Sequence, residues 1–199
     1  MRWKTILILF AILLVLCAPT PVQAQDYSFS LDQMEVNVWI NQDGTVKLEY
    51  WMVFTCDPVA HPIDIVDLGL PNSDFLISNI RADVGGDPVQ NIDSDFQGEG
   101  SDGVAIYLGS QNTIAPGETG TVHVVADEVG SMIYQDDDDP TYASVTFAPA
   151  YYVSSSVHGT TDMTVRFFLP PGVQPDEPRW HASPSGWPRE PESDLHEGR

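Results

Sequence analysis

Positive charge is scarce in this sequence: eight Lys and Arg stand against 29 Asp and Glu in 199 residues, for a formal net charge of −21. Nucleic acids and anionic lipid surfaces recruit proteins through clustered Lys and Arg that displace counterions. A nucleic-acid partner is therefore excluded. Cysteine is almost absent, with only Cys17 and Cys56. Cys17 falls in an N-terminal segment expected to be removed, so no intramolecular disulfide is expected, even though an exported setting would permit one. The domain must be held by its core, and roughly 150 ordered residues bury enough surface for that.

Helical periodicity is missing too: no 12-residue stretch repeats its apolar residues at helical spacing. So are the common catalytic motifs. His61, His123, His158, His181 and His196 are scattered, and no two fall at the i, i+4 spacing of a zinc-protease helix. There is no Gly-x-Ser-x-Gly elbow and no Gly-rich phosphate loop between a strand and a helix. Acids abound, but a glycosidase needs two carboxylates at a set separation, which sequence does not reveal. Cys56 continues the apolar face of a strand and reads as a buried, inert thiol. These absences lead to the expectation that the protein is not an enzyme.

What is present begins with "MRWKTILILFAILLVLCAPTPVQA". Arg2 and Lys4 precede an unbroken apolar run from Ile6 to Ala18, and Val22 and Ala24 place small residues at the −3 and −1 positions of a cleavage site. The segment reads as a secretory signal peptide, residues 1–24. An uncleaved anchor is disfavoured because spanning a bilayer needs about 20 apolar residues. Lipidation of Cys17 is disfavoured because Leu16 before it is not small. Loss of the segment removes Arg2 and Lys4 and no acid, which would take the net charge from −21 to −23. The expected location is secreted or extracytoplasmic, in the cell envelope. Contact with a membrane is expected only through an uncleaved signal or a segment beyond residue 199.

Residues 25–175 are expected to form one β-sandwich. In "MEVNVWINQDGTVKLEYWMVFTC", Met34, Val36, Val38 and Ile40 alternate with polar residues, and so do Val46, Leu48, Tyr50, Met52 and Phe54. Period two in both halves means two strands with one buried face each. Both apolar sets must point the same way, so Ile40 opposes Val46, and Asn41 pairs with Thr45. That leaves Gln42-Asp43-Gly44 as a three-residue loop, whose last position suits a glycine in the left-handed conformation. Trp39 then meets Lys47 on the other face, within cation–π reach.

Further runs, "DIVDLGLP", "FLISNIRADV", "GVAIYLG", "GTVHVVADEV", "ASVTFAPAYYV" and "TDMTVRFFLPPGV", are separated by turn-rich segments. The pattern predicts an all-β, immunoglobulin/fibronectin-like sandwich of about seven or eight strands. Residues 176–199 are rich in proline without alternation and read as a linker or disordered tail.

Two acidic loops raise the question of a cation. Asp136, Asp137, Asp138 and Asp139 lie between strand-like segments, and Pro140 forbids a central strand there. Calcium takes six to eight oxygen ligands, and successive side chains of an extended chain point to opposite sides, so a second loop would have to contribute. Asp93 and Asp95, with Gly98, are spaced like the start of an EF-hand loop, but Gln97 and Val104 break that pattern. Two readings stand: solvated loops, or one irregular calcium site shared by Asp93, Asp95 and Asp136–Asp139. The outer-face aromatics Trp39 and Trp51, with Tyr107, pose a similar choice between a sugar-stacking platform and ordinary strand residues.

The order of "YSFSLDQMEVNVWINQDGTVKLEYWMVF", "ISNIRAD", "IAPGETGTVHV", "VTFAPAYY" and "TDMTVRFFLPPGV" resembles the extracytoplasmic β-sandwich domains of uncharacterised bacterial predicted membrane proteins. The later part, with Phe147, Pro149, Tyr151 and Leu169-Pro170-Pro171-Gly172, is similar to the N-terminal β domain of zinc aminopeptidases. That family's zinc motif and catalytic domain have no counterpart here, so the resemblance implies a fold and no activity or site residues. The sequence thus leads to an exported, non-catalytic β-sandwich module with a binding or structural role and an unidentified protein or glycan partner. The alternative is a calcium-stabilised adhesion or carbohydrate-binding module.

Overall fold

The structure, a computed structural model, describes residues 26–98, 100–152 and 155–174. The expected signal segment and the expected tail lie outside the described residues.

The alternating stretch forms the two long strands at the centre of the fold, β1 (Phe29–Ile40) and β2 (Val46–Cys56). Ile40 opposes Val46 and Trp39 opposes Lys47, as the pattern requires. Asn41 and Thr45 close the loop with a 2.9 Å backbone hydrogen bond, and Gly44 turns it at φ 85°. One feature departs from strict alternation. Leu31 opposes Phe54 while Gln33 opposes Val53, so Asp32 is an extra residue bulged out of β1, held by a hydrogen bond from Thr55.

The remaining strands are β3 (Ile65–Gly69), β4 (Ile80–Val84), β5 (Asp87–Pro88), β6 (Asn91–Asp93), β7 (Gly103–Tyr107), β8 (Thr119–Val129), β9 (Ile133–Gln135), β10 (Ala143–Val145), β11 (Val157–His158) and β12 (Asp162–Phe168). A 3-10 turn at Ile77–Asn79 is the one helical element among the described residues. The main sheet runs β11-β1-β2-β8-β4-β5, with β12 also on β1; β3-β7-β6 form a second sheet and β9-β10 a hairpin.

The fold is the expected all-β sandwich. Met34, Val36, Val38, Leu48, Tyr50, Met52, Val122 and Val124 from the main sheet join Val66, Leu68, Val104 and Ile106 from the second sheet in one core. Among the described residues no buried charged or polar residue interrupts it.

Among the described residues twelve strands replace the seven or eight expected, because β5, β6, β9, β10 and β11 are pieces of two or three residues too short to show a period. The segment expected to continue as a strand through Phe147 leaves the ladder after Val145. Pro149 has no N–H to donate, and the residue before a proline is sterically restricted. Phe147 still reaches the core, beside Tyr50 and Phe167. β11 and β12 both lie parallel to β1, in succession along its free edge. Met163, Val165 and Phe167 therefore share the inner face with Met34, Val36 and Val38. They are not equally covered: Met163 is 44% exposed and Phe167 45%.

Candidate functional site

The acidic tetrad forms the tip of the β9–β10 hairpin, and two of its members build the turn. Asp136 accepts backbone N–H groups of Asp138 and Asp139 at 3.0 and 2.9 Å, and its other oxygen accepts the Ser144 hydroxyl at 2.5 Å. Asp139 accepts both the N–H and the hydroxyl of Thr141. Asp137 and Asp138 face solvent. Short Asp side chains commonly fold back on the backbone in this way. In the other loop Asp93 accepts the Asp95 N–H at 2.8 Å, and Asp95 accepts from Gln97 and from the Tyr107 hydroxyl. Among the described residues no three His, Cys, Asp or Glu side chains form a group that could hold a metal ion.

The aromatic platform is not assembled. Tyr107 lies on β7 of the second sheet, apart from Trp39 and Trp51 on the main one. Both tryptophans spend a ring face on a neighbour. Trp39 stacks on Phe168 at 3.7 Å and 9°, with the Lys47 ammonium 5.5 Å from its centroid. Trp51 stacks on His123 at 3.7 Å and 17°. Each indole thus has one face on a neighbouring ring, while Trp39 stays 37% exposed and Trp51 39%.

His123 occupies the outer face of β8, between Trp51 on β2 and Asp83 on β4. Its Nδ1 lies 2.8 Å from Asp83 and its Nε2 3.3 Å from Glu49. Both ring nitrogens face carboxylates, so neither faces a nucleophile. Burial alone would raise the Glu49 carboxyl, but hydrogen bonds from Asn37 and His123 and the charges of Lys47 and His123 outweigh it, and the carboxyl sits below its ordinary value. A depressed folded value contributes stability above the unfolded value, about 4.3 for Glu, and that contribution is lost as pH falls through the folded value. The native protein is thus expected to lose stability below about pH 4.3 more steeply than Glu49→Gln, as read from urea midpoints across an acid titration. Parallel curves would show that Glu49 is not so held.

Two other polar sets have the wrong order for catalysis. Asp57 sits between the Ser28 hydroxyl at 2.5 Å and His158 Nε2 at 2.8 Å. A nucleophile needs the imidazole, not the carboxylate, at its oxygen. His61 keeps Nδ1 2.7 Å from the Pro62 carbonyl. Cys56 is fully buried, its sulfur 3.3 Å from the His61 carbonyl, and burial pushes its thiol up. In a Cys17→Ser background, Cys56 is expected to ignore a thiol reagent in buffer and to react once denaturant is added. Rapid labelling of the native protein would refute its burial.

One concavity joins residues that the sequence keeps apart. A groove of about 390 Å³ opens at the hairpin end of the outer face, lined by Asn41, Lys47, Asn79, Arg81, Asp127 and Glu128 among others. Arg81 donates to Asp127 at 2.6 Å and Asn79 to Glu128 at 2.9 Å. A bulge in β8 builds it. Val46 pairs with Val129 and Leu48 with Ala126, so β8 spends three steps where β2 spends two. Glu128 takes up the excess at φ 57°, a left-handed conformation that costs a non-glycine residue about 1–2 kcal/mol. The signal for it was in the sequence. Val122, Val124 and Ala126 point inward, the next inward place would fall on Glu128, and Val129 is the residue buried instead.

No family model matches the chain, and no curated protein matches it, so the likeness to predicted bacterial membrane proteins finds no counterpart. Among solved structures, an M1 zinc metallopeptidase from Deinococcus radiodurans is similar at 12% identity and a TM-score of 0.44, over 75% of this chain and 34% of that one. The Legionella pneumophila aminopeptidase A, solved with aspartic acid, is similar at 8% identity and a TM-score of 0.36, over 57% of this chain and 12% of that one. The chain spans about a third of the first protein's length and an eighth of the second's. The likeness to zinc aminopeptidases is weak and partial, and no activity, substrate or partner is taken from it.

Proposed function

We propose that the chain is an exported, non-catalytic β-sandwich module with a binding or structural role in the cell envelope or outside the cell. The observation that carries the non-catalytic part is the closure of its polar sets. His123 is shared by Glu49 and Asp83, and Asp57 by Ser28 and His158. None of these arrangements presents an activated nucleophile, or an acid and a base across a cleft. Export rests on Arg2, Lys4, the apolar run from Ile6 to Ala18 and the small residues Val22 and Ala24. The acidic loops are solvated turns organised by Asp136, Asp139 and Asp93, and the strongly negative net charge, −21 for the full chain, favours solubility.

Expression of the full chain in a bacterial host, followed by fractionation and mass spectrometry, tests the reading. The expected product is an extracytoplasmic protein beginning at Gln25, with no turnover of ester, peptide or glycoside substrates. Full-length protein held in the cytoplasm, or turnover that survives purification to homogeneity, would contradict it. A carbohydrate-binding role is the second reading, favoured by the mixed-charge groove on the outer face.

A further inference from the structure

We propose that the groove at the hairpin end of the outer face binds a neutral, hydroxyl-rich ligand, a glycan residue. This deepens the binding reading above and rests on it.

The depression is open to solvent and polar-walled, and its volume of about 390 Å³ is room enough for a small molecule, whose sites run to roughly 300–1,000 Å³.

Lys47, Arg81 and Arg166 are the only Lys and Arg among the described residues, and two of the three line this groove. Asp127 and Glu128 line it as well, so its formal charges cancel. An anion entering would meet both carboxylates and the field of a protein with net charge −21. A cation would meet Lys47 and Arg81. A hydroxyl group both donates and accepts, so it is served by either kind of wall. Asn41 and Asn79 add amides with the same double capacity.

The internal pairs orient these groups without exhausting them. Arg81 has five N–H donors and a carboxylate about four acceptor positions. The bonds from Arg81 to Asp127 and from Asn79 to Glu128 therefore leave donors and acceptors for a ligand. Groups already held in place lose little freedom on binding.

An unbulged β8 would hold the strand register without a left-handed Glu128, and bulges of this kind re-aim side chains beside functional sites. No aromatic residue lines the groove, so recognition here is by hydrogen bonds rather than by ring stacking.

Saturation-transfer NMR on the mature chain tests the proposal. The probes are cellobiose, maltose and N,N′-diacetylchitobiose at millimolar concentration, with 3′-sialyllactose as the acidic counterpart. At least one neutral disaccharide is expected to give signals. Affinity should fall about tenfold or more in both Arg81→Ala and Asn79→Ala, and stay unchanged in Thr164→Ala, which alters the outer face of β12. Arg81 is 68% exposed, so its truncation leaves the fold intact, and a thermal melt checks this. The proposal is overturned by silence from all three neutral sugars, by signals from the acidic sugar alone, or by signals indifferent to both variants. Loss of sugar binding in a chain still exported and without turnover removes this site and leaves the broader reading standing. Failure of export removes the broader reading whatever the sugars do.

Discussion

Phe54→Ala is expected to cost about 3–5 kcal/mol, as large-to-small changes of buried aromatics do. Phe54 is 1% exposed and touches two aromatic rings. Phe29 meets it at 5.6 Å and 71°, and Tyr152 at 5.6 Å and 82°. Edge-to-face pairs of this kind add about 0.5–1.5 kcal/mol beyond buried area. The three rings come from β1, from β2 and from the irregular segment after β10, so none can collapse into the space without moving a different part of the chain. Phe167→Ala is the matched control: it removes the same ring from a residue that is 45% exposed, and should cost about 1 kcal/mol or less. Urea midpoints read both, given unchanged slopes. Equal losses at the two sites would mean that β12 is covered in solution or that the Phe54 cluster is looser than described.

Gly103→Ala is expected to destabilise by about 1–3 kcal/mol through overpacking. A Cβ at Gly103 would lie 2.5 Å from the Leu68 carbonyl oxygen and 2.7 Å from the Phe96 ring. The ring can turn aside, but the carbonyl belongs to β3, which pairs with β7 here. The two strands must part at this end. Gly44→Ala separates this effect from glycine chemistry in general. Nothing lies within 4 Å of a Cβ there, and the strain comes only from φ of +85°, about 1–2 kcal/mol. Hydrogen exchange should find the β3 and β7 amides less protected in Gly103→Ala and unaffected in Gly44→Ala. Protection retained in both would show that β3 and β7 are not so closely apposed.

The hairpin was legible because its evidence is local. Alternation in Met34–Ile40 and Val46–Phe54 defines the faces, and a shared face leaves a single register. Cys56 was legible for the same reason, as the next inward residue of β2. The edge of the main sheet was not. Val36 pairs in parallel with Val165, and two alternating strands far apart in sequence carry no mark of which partner each will choose. The fate of the tryptophans was hidden for a related reason. Alternation puts Trp39 and Trp51 on the outer face, but only the neighbouring strands β12 and β8 supply the Phe168 and His123 rings that stack on them. The groove was half legible. Glu128 at an inward place betrays the bulge, whereas Asn79 and Arg81 reach it from a segment that pairs with β8 at Ile80–Val84. The acidic tetrad was legible as a loop, because Pro140 and the flanking alternation mark it, but its internal hydrogen bonds were not. Asp136 and Asp139 accept hydrogen bonds from their own turn, a role that two residues of the four suffice to fill.

A thermal melt of residues 25–199, in calcium and then in chelator, tests most directly whether this is a self-sufficient core or a calcium-dependent module. A ligand at 100 times its dissociation constant stabilises by about 2.7 kcal/mol, which moves the midpoint of a domain of this size by several degrees. The account predicts superimposable melts, with the core of Phe54, Tyr50 and Leu68 setting the midpoint in both. A rise of several degrees in calcium, abolished when Asp136–Asp139 are changed to asparagine, would contradict it and make the tetrad a cation site.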